Sequence, residues 1–266
     1  MKPSLPPIVL MTDFGHLDPY VGILKGVIHG IAPHAGIIDL SHGIRPQDIR
    51  HGAFALYRSY AYFPKGSIFC AVVDPGVGTG RMPVAVRTHD YLFVGPDNGL
   101  LWPSAHACGI DTSVCLENSE FFLDRISTTF HGRDIFAPVA AHLWMGTPLE
   151  KMGRKADTLC RLEFPEPEFR GKTCVLTILD QDTYGNLVLN ISHESFFQFA
   201  GSRFRLESGD VRISKVCTTY GQAVENTPFV LAGSHGFMEI AVKNGSAAAM
   251  TGVGVLDRFT LTPGSL

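Results

Sequence analysis

Residues Val72 to Arg81 read VVDPGVGTGR, with a carboxylate at Asp74, a guanidinium at Arg81 and glycines at 76, 78 and 80 between them. Three glycines suggest a phosphate cradle. A Walker loop, however, ends in Gly-Lys-Ser/Thr, and a dinucleotide fingerprint opens a helix. Here the lysine is missing, and Pro83 followed by a strand-like run succeeds the glycines. Pro75 fixes φ, and the glycines admit positive φ and close backbone approach, so the loop can fold back on itself. Asp74 and Arg81 can then meet as an ion pair, either as a structural salt bridge or as charged groups in a ligand crevice.

Other polar clusters invite the same scrutiny. In TFHGRDIFAP, His131 lies on a glycine turn that leads into a helix-like run starting near Asp134. A histidine there is a general base, a ligand or a solvated turn residue. His131 with Asp134 lacks a third ligand at metal-site spacing, so no metal is expected. Asp13, Asp74 and Asp97 each follow an apolar run directly. In open α/β sheets ligands bind outside the carboxyl ends of the strands, where three carboxylates suit a polyhydroxylated or cationic ligand. Equally, aspartates at strand ends satisfy turn N–H groups. LDQDTYGNLVLN puts Asp182 and Asn186 around one tight turn, and AGSHGFMEIAVKNGSAA does the same with Ser234, Glu239 and Asn244.

The elements that must position these residues alternate at first. PIVLMT (7–12) reads as a strand buried on both faces. Val21, Leu24, Ile28 and Ile31 fall at helical spacing over 20–31, and Pro33 ends the helix. Strands are expected over 37–40 and 67–73, a hairpin over 83–94 around His89-Asp90, and helices over 46–60, with Pro46 in the first turn, and 134–145. That alternation predicts an α/β domain, a central sheet flanked by helices, over 1–162. RLEFPEPEFRGK is rich in proline and charge, and a linker is expected over 163–171. Beyond it KTCVLTILD, NLVLNI, RFRLES, VRISKVCTTY, PFVLAG and FMEIAVKNG are short β-like runs between glycine-bearing turns, predicting an all-β domain over 172–266.

Bulk properties narrow the function. The chain has 266 residues, 45% hydrophobic and 18% charged, with a net charge of −3. No basic run stands out, which argues against a nucleic-acid partner. No apolar stretch reaches membrane-span length. MKPSLPPIVLMTDFG carries no cleavable signal pattern, and the six cysteines lack CxxC spacing, so reduced thiols and a cytoplasmic location are expected.

Taken together, these motifs resemble a known family. TDFG (12–15), DPYVG (18–22), SHGIRPQDI (41–49), VVDPGVGTGR, VGPDNGLL (94–101), TFHGRDIFAP, DTYGNLVLNI (182–191) and GSHGFMEIAV (233–242) stand in the order found in the S-adenosyl-L-methionine hydrolases (adenosine-forming). These are the SAM hydroxide adenosyltransferases, relatives of the fluorinating and chlorinating enzymes that attack the same substrate. The resemblance implies an N-terminal α/β and a C-terminal β domain. It also implies a homotrimer with each active site between one subunit's N-domain and its neighbour's C-domain. The activity it implies is hydrolysis of S-adenosyl-L-methionine to adenosine and L-methionine, with no cofactor beyond the substrate. Asp13 would grip the ribose hydroxyls and Phe130 would pack near the sugar. Asp18 and Asp182 would face the methionine ammonium, and Ser234 the carboxylate. Asn186, with backbone near Asn244 and Gly245, would bind adenine. Asp74, Arg81 and His131 match the set associated with water activation.

The departures from the halogenating relatives favour water. Those enzymes use a tyrosine where Asp74 stands, and hydroxyl donors near Val77 and Gly132 to desolvate halide. A carboxylate repels an anion, and neither Val77 nor Gly132 carries a hydroxyl. His235 stands beside Ser234 where the halogenases carry an arginine for the methionine carboxylate. The competing readings are a halide-using enzyme, which would form a 5′-halo-adenosine, and a module that binds the ligand without turnover.

Overall fold

The structure is a computed structural model and describes residues 5–264. The chain divides into two compact units between Glu163 and Phe164. In the first, the elements run β1 (Ile8–Thr12), α1 (Tyr20–Ile31), β2 (Ile37–Ser41), α2 (Ile49–Tyr57), β3 (Ile68–Val72), β4 (Pro83–Thr88), β5 (Leu92–Pro96), α3 (Trp102–Ala107), β6 (Ile110–Cys115) and α4 (Ala137–Trp144). The six strands form one mixed sheet in the order β2-β1-β3-β5-β4-β6. The first four are parallel, and β4 runs antiparallel to both β5 and β6.

The continuous apolar runs of β1 and β3 are those of strands covered on both faces. Ile8 and Leu10, with Ile68, Cys70 and Val72, pack into one core with Leu24 and Ile28 of α1 and with α4. Side-chain alternation sends Val9, Met11, Phe69 and Ala71, all buried, to the opposite face. There α2 approaches β1 and α3 packs on α2.

Two helices begin elsewhere than the sequence suggests. The helix expected over 46–60 starts at Ile49, because the Asp48 carboxylate accepts the His51 N–H at 2.9 Å as an N-cap. Gln47 takes φ +64°, which no helical turn accommodates. The helix expected over 134–145 is a π-helical turn, Gly132–Phe136, that passes into α4, with Pro138 in the first turn of the regular part. π-helical turns of this kind concentrate at functional sites. Residues 102–115, unassigned from sequence, form α3 and β6.

In the second unit the elements are β7 (Glu168–Arg170), β8 (Thr173–Gln181), β9 (Leu187–Ser192), α5 (His193–Ala200), β10 (Phe204–Ser208), β11 (Val211–Ile213), β12 (Pro228–Ala232), β13 (Phe237–Val242), α6 (Ala247–Thr251) and β14 (Arg258–Pro263). The sheet order is β11-β10-β14-β8-β9-β13-β12, with β7 on β8, and its pairings are antiparallel. The nine-residue β8 pairs with β14 through its first half and with β9 through its second. The expected linker thus includes the short strand β7.

The β character of this unit is as the sequence predicts, with two short helices added. HESFFQFA, left unassigned from sequence, is helical. Ser192 caps it by accepting the Ser195 N–H, and Gly201 ends it at φ +63°. VRISKVCTTY contributes only the three residues of β11, followed by a single bridge from Val216 to Val230.

Candidate active site

β1 lies between β2 and β3, all parallel, with Thr12 level with Val72. The chain leaves β1 towards β2 on one side and returns as β3 on the other, so a crevice opens at the carboxyl ends of β1 and β3. Asp13 and Asp74 stand at those two ends. A cleft of about 390 Å³ opens there, lined by Asp13, Phe14, Gln47, Asp74, Val77 and His131 among others, with Phe130 and Gly132 at its wall.

The glycine loop does fold back. Arg81 Nε donates to Asp74 Oδ1 at 2.8 Å and Oδ2 at 3.0 Å, and Nη2 donates to Oδ2 as well. Nη2 also lies 2.9 Å from His131 Nδ1. The pair is well sheltered, with 9% of the Arg81 and 6% of the Asp74 side chain exposed. The guanidinium rests 5.2 Å over the Phe136 ring, and its Nη1 is buried without a hydrogen-bond partner among the described residues.

Gly78 joins this loop to the one bearing His131. It takes φ +75°, and a Cβ on it would lie 2.4 Å from the Thr128 carbonyl oxygen. Asp134, fully buried, steadies the same segment by accepting the Ser127 N–H at 2.7 Å and the Arg133 Nε at 2.6 Å. Asp134 is therefore a brace rather than a partner of His131. Among the described residues, no group of three or more His, Cys, Asp or Glu side chains could hold a metal ion.

The direction of the Arg81–His131 contact follows from chemistry. A guanidinium only donates, so His131 Nδ1 accepts, and the ring keeps its proton on Nε2. Burial first, and the Arg81 charge second, push the His131 pKa below its ordinary value, so the neutral ring is favoured.

Asp13 is held by its other neighbours. Its Oδ2 accepts the Gln47 N–H at 2.8 Å, a donor aimed by the positive φ of Gln47. Phe14, Tyr20 and Phe130 meet edge-to-face with centroids 5.2–5.8 Å apart and form an aromatic floor. Asp18 lies exposed on the preceding loop and is not among the cleft-lining residues. Asp97, the third strand-end aspartate, lies apart from the cleft and accepts the Cys160 N–H at 2.8 Å, a turn-bracing role.

The second unit has its own cleft of about 390 Å³, lined by Tyr184, Asn186, Tyr220, Val242, Asn244 and Gly245. Asp182 builds its rim. Its Oδ1 accepts the N–H groups of Tyr184 (2.9 Å) and Asn186 (2.8 Å), and its Oδ2 accepts from Asn186 Nδ2 (2.8 Å). Asn186 Nδ2 also donates to the Tyr220 hydroxyl at 3.2 Å. Both amide hydrogens are thereby committed, and the Asn186 carbonyl is left as an acceptor. Burial, then Glu239 and Asp182, raise the Tyr220 pKa and keep its hydroxyl protonated.

Asn244 adopts φ +58° and donates to Glu225 at 3.0 Å. Ser234 is exposed on the β12–β13 turn. Next to it His235 Nε2 lies 2.7 Å from Glu239 Oε1, while its Nδ1 accepts the Phe237 N–H at 3.3 Å. Position 235 is thus engaged with a carboxylate of the protein itself.

Comparisons of the whole chain place it among known proteins. Residues 8–153 match the SAM hydroxide adenosyltransferase N-terminal domain, and residues 176–260 match the C-terminal domain of the same name. The chain belongs to the SAM hydroxide adenosyltransferase family. It is 40% identical to the (R)-S-adenosyl-L-methionine hydrolase of Salinispora tropica, over 99% of this chain and 100% of that protein. A fluorinase from Nocardia brasiliensis is more distant, at 29% identity over 71% of this chain and 68% of its own. An uncharacterized conserved protein from Thermotoga maritima has the same structure, with a TM-score of 0.90 at 36% identity, over 96% of this chain and 99% of that one.

In this member of the family the residues singled out from sequence fall into two clusters. Asp13, Asp74, His131 and Phe130 line the cleft of the first unit, with Arg81 behind them. Asn186, Asn244 and Gly245 line that of the second, with Asp182 bracing it. Sequence reasoning passed over Gln47, whose contribution is a backbone N–H, and the ring walls Tyr184 and Tyr220. Each tyrosine is followed by a glycine, Tyr184 on the Asp182 turn and Tyr220 at the start of a short 3-10 helix, and a tyrosine in DTYGN was the one available signal.

Proposed function

We propose that this chain hydrolyses S-adenosyl-L-methionine to adenosine and L-methionine by attack of water on C5′ of the ribose. The observation that carries this reading is the sheltered Asp74–Arg81–His131 cluster on the wall of a cleft that also holds Asp13. The hydrolase relatives, similar over nearly the full chain, support it.

The sulfonium is already a good leaving group, so no general acid is needed. The task is to hold one water in line with C5′ at attack distance. As the C5′–O bond forms and the C5′–S pair departs with methionine sulfur, the attacking oxygen becomes strongly acidic. A weak base then suffices. His131 Nδ1 accepts from Arg81 and its Nε2–H faces the Ser127 backbone, so the ring holds the guanidinium in place beside the nucleophile. The water proton passes to Asp74, whose oxygens retain lone pairs beyond those used by Arg81. The Arg81 charge stabilises hydroxide character on the nucleophile in a site of low polarity.

The remaining roles fit this scheme. Asp13, its Oδ2 fixed by Gln47, keeps Oδ1 for the ribose hydroxyls, and Phe130 packs beside the sugar. The Asn186 carbonyl suits the adenine amino group, between the rings of Tyr184 and Tyr220 and beside Asn244 and Gly245. Asp18, Asp182 and Ser234 are read as the methionine-end contacts. The Asp182 carboxylate acts there while also bracing its turn. No cofactor takes part. A homotrimer in the cytoplasm is the assembly and location we propose. All six cysteines are free, and no helix among the described residues is long and apolar enough to cross a membrane.

The test is the product profile of purified protein with S-adenosyl-L-methionine, with and without chloride or fluoride. Adenosine and methionine in equal amounts, indifferent to halide, are expected. A 5′-halo-adenosine would favour the halogenase reading, which Val77 and Gly132 disfavour by offering no hydroxyl to the cleft. Stoichiometric binding without product over hours would leave only a binding module.

A further inference from the structure

We propose that His42 is a positioning residue that acts through Thr12 and the backbone of Gly15 to hold Asp13 in the geometry that engages the ribose hydroxyls. The inference rests on reading Asp13 as the ribose ligand.

His42 is 1% exposed and Thr12 fully buried. His42 Nδ1 lies 2.8 Å from Thr12 Oγ1. That same hydroxyl oxygen accepts the Phe14 N–H at 3.2 Å, which closes a tight turn around Asp13. The His42 carbonyl takes the Gly15 N–H at 2.8 Å. One residue therefore tethers the chain on both sides of Asp13, once through its ring and once through its backbone.

The far side of the ring faces a carboxylate. His42 Nε2 lies 3.1 Å from Asp39 Oδ1, off the best hydrogen-bond line, and Asp39 Oδ2 pairs with Lys25 Nζ of α1 at 2.6 Å. The His16 ring meets His42 edge-on at 5.2 Å. Nε2 facing a carboxylate must carry hydrogen, so Nδ1 of the neutral ring accepts and the Thr12 O–H donates. Every donor in the chain Lys25–Asp39–His42–Thr12–Phe14 then has a defined direction. The chain runs from the middle of α1 to the residue after Asp13.

A core histidine that merely fills space would affect stability and leave ligand discrimination alone. A positioning residue for Asp13 affects how strongly the protein senses the ribose hydroxyls. The experiment measures inhibition constants for adenosine and 2′-deoxyadenosine with the full-length protein, as wild type, Asp13→Ala, His42→Phe and Thr12→Val. Wild type is expected to prefer adenosine by about tenfold or more, a loss typical of one hydrogen bond to a charged group. Asp13→Ala should bring the ratio close to one. His42→Phe and Thr12→Val should each lower it at least threefold while melting remains cooperative. Thr12→Val, close in shape to the native residue, carries the test if His42→Phe does not fold. A collapsed ratio in Asp13→Ala with an unchanged ratio in both other variants overturns the proposal. An unchanged ratio in Asp13→Ala overturns the ribose reading itself, and the proposal with it.

Discussion

Arg81 divides its nitrogens among different tasks. Nε and Nη2 hold Asp74, Nη2 reaches His131, and Nη1 keeps buried donors unspent. Removing the guanidinium therefore removes the charge beside the nucleophile and releases His131 together. Arg81→Ala is expected to lower kcat by roughly 10²–10³-fold, the scale for loss of one preorganised electrostatic contact, with substrate affinity largely kept. Asp74→Ala should lower kcat on the same scale, because it takes the proposed proton acceptor away, with a smaller loss of affinity from the unpaired Arg81 charge facing a sulfonium. Single-turnover rates and calorimetry separate the two effects. Equal losses in binding and turnover would make the pair a structural salt bridge instead. At this scale the Asp74–Arg81 pair was legible because the glycine loop between them can fold back, whereas His131 joined the set only through the family resemblance, since a histidine on a glycine turn reads equally as base, ligand or solvated turn residue. The bracing of its own turn by Asp182 was not legible, since an aspartate on a turn looks the same whether it braces backbone or meets a ligand.

The loops that carry these side chains depend on a few backbone positions. Gly78 combines a left-handed φ with contact against the Thr128 carbonyl, so a methyl group there meets both strain and a clash. Gly78→Ala is expected to part the Arg81 and His131 loops, with kcat falling at least tenfold and the melting temperature by several degrees. A variant with wild-type activity would mean the loops are held together elsewhere. The elements themselves were read well where one signal dominated, as with the apolar runs of β1 and β3 or the spacing of Val21, Leu24 and Ile28. They were misread where local capping overrode pattern. Asp48 took the start of α2 from Pro46, and the cap at Ser192 that opens α5 went unread. The crevice between β1 and β3 depends on strand order, which no local pattern encodes.

Across the whole molecule several histidines are held neutral by burial. The pKa values of His42, His131 and His142 are all pushed below the ordinary value of 6.5, with burial the first cause in each. The unfolded chain binds these protons first as pH falls, so the folded state loses stability from about pH 6.5 downward until its own sites titrate. Melting temperatures measured at falling pH should drop below that point, and His142→Gln should flatten part of the slope. A flat profile would contradict the directions given. The proposed homotrimer predicts a mass in solution near three times the 28.9 kDa of one chain. Light scattering that returns a monomer mass would exclude it.

The Asp74–Arg81–His131 cluster also has a cycle of charge. Before reaction a carboxylate, a guanidinium and a neutral imidazole sum to zero, so a sulfonium cation meets no net repulsion. In the proposed reaction the sulfonium loses its charge as the thioether departs, and Asp74 gains the proton of the water. One unit of positive charge has thereby crossed from the ligand to the cleft wall. The cluster is now cationic and disfavours the next sulfonium until that proton reaches solvent. On that proposal proton discharge is a reset step between turnovers, and buffer acids and bases are expected to accelerate it.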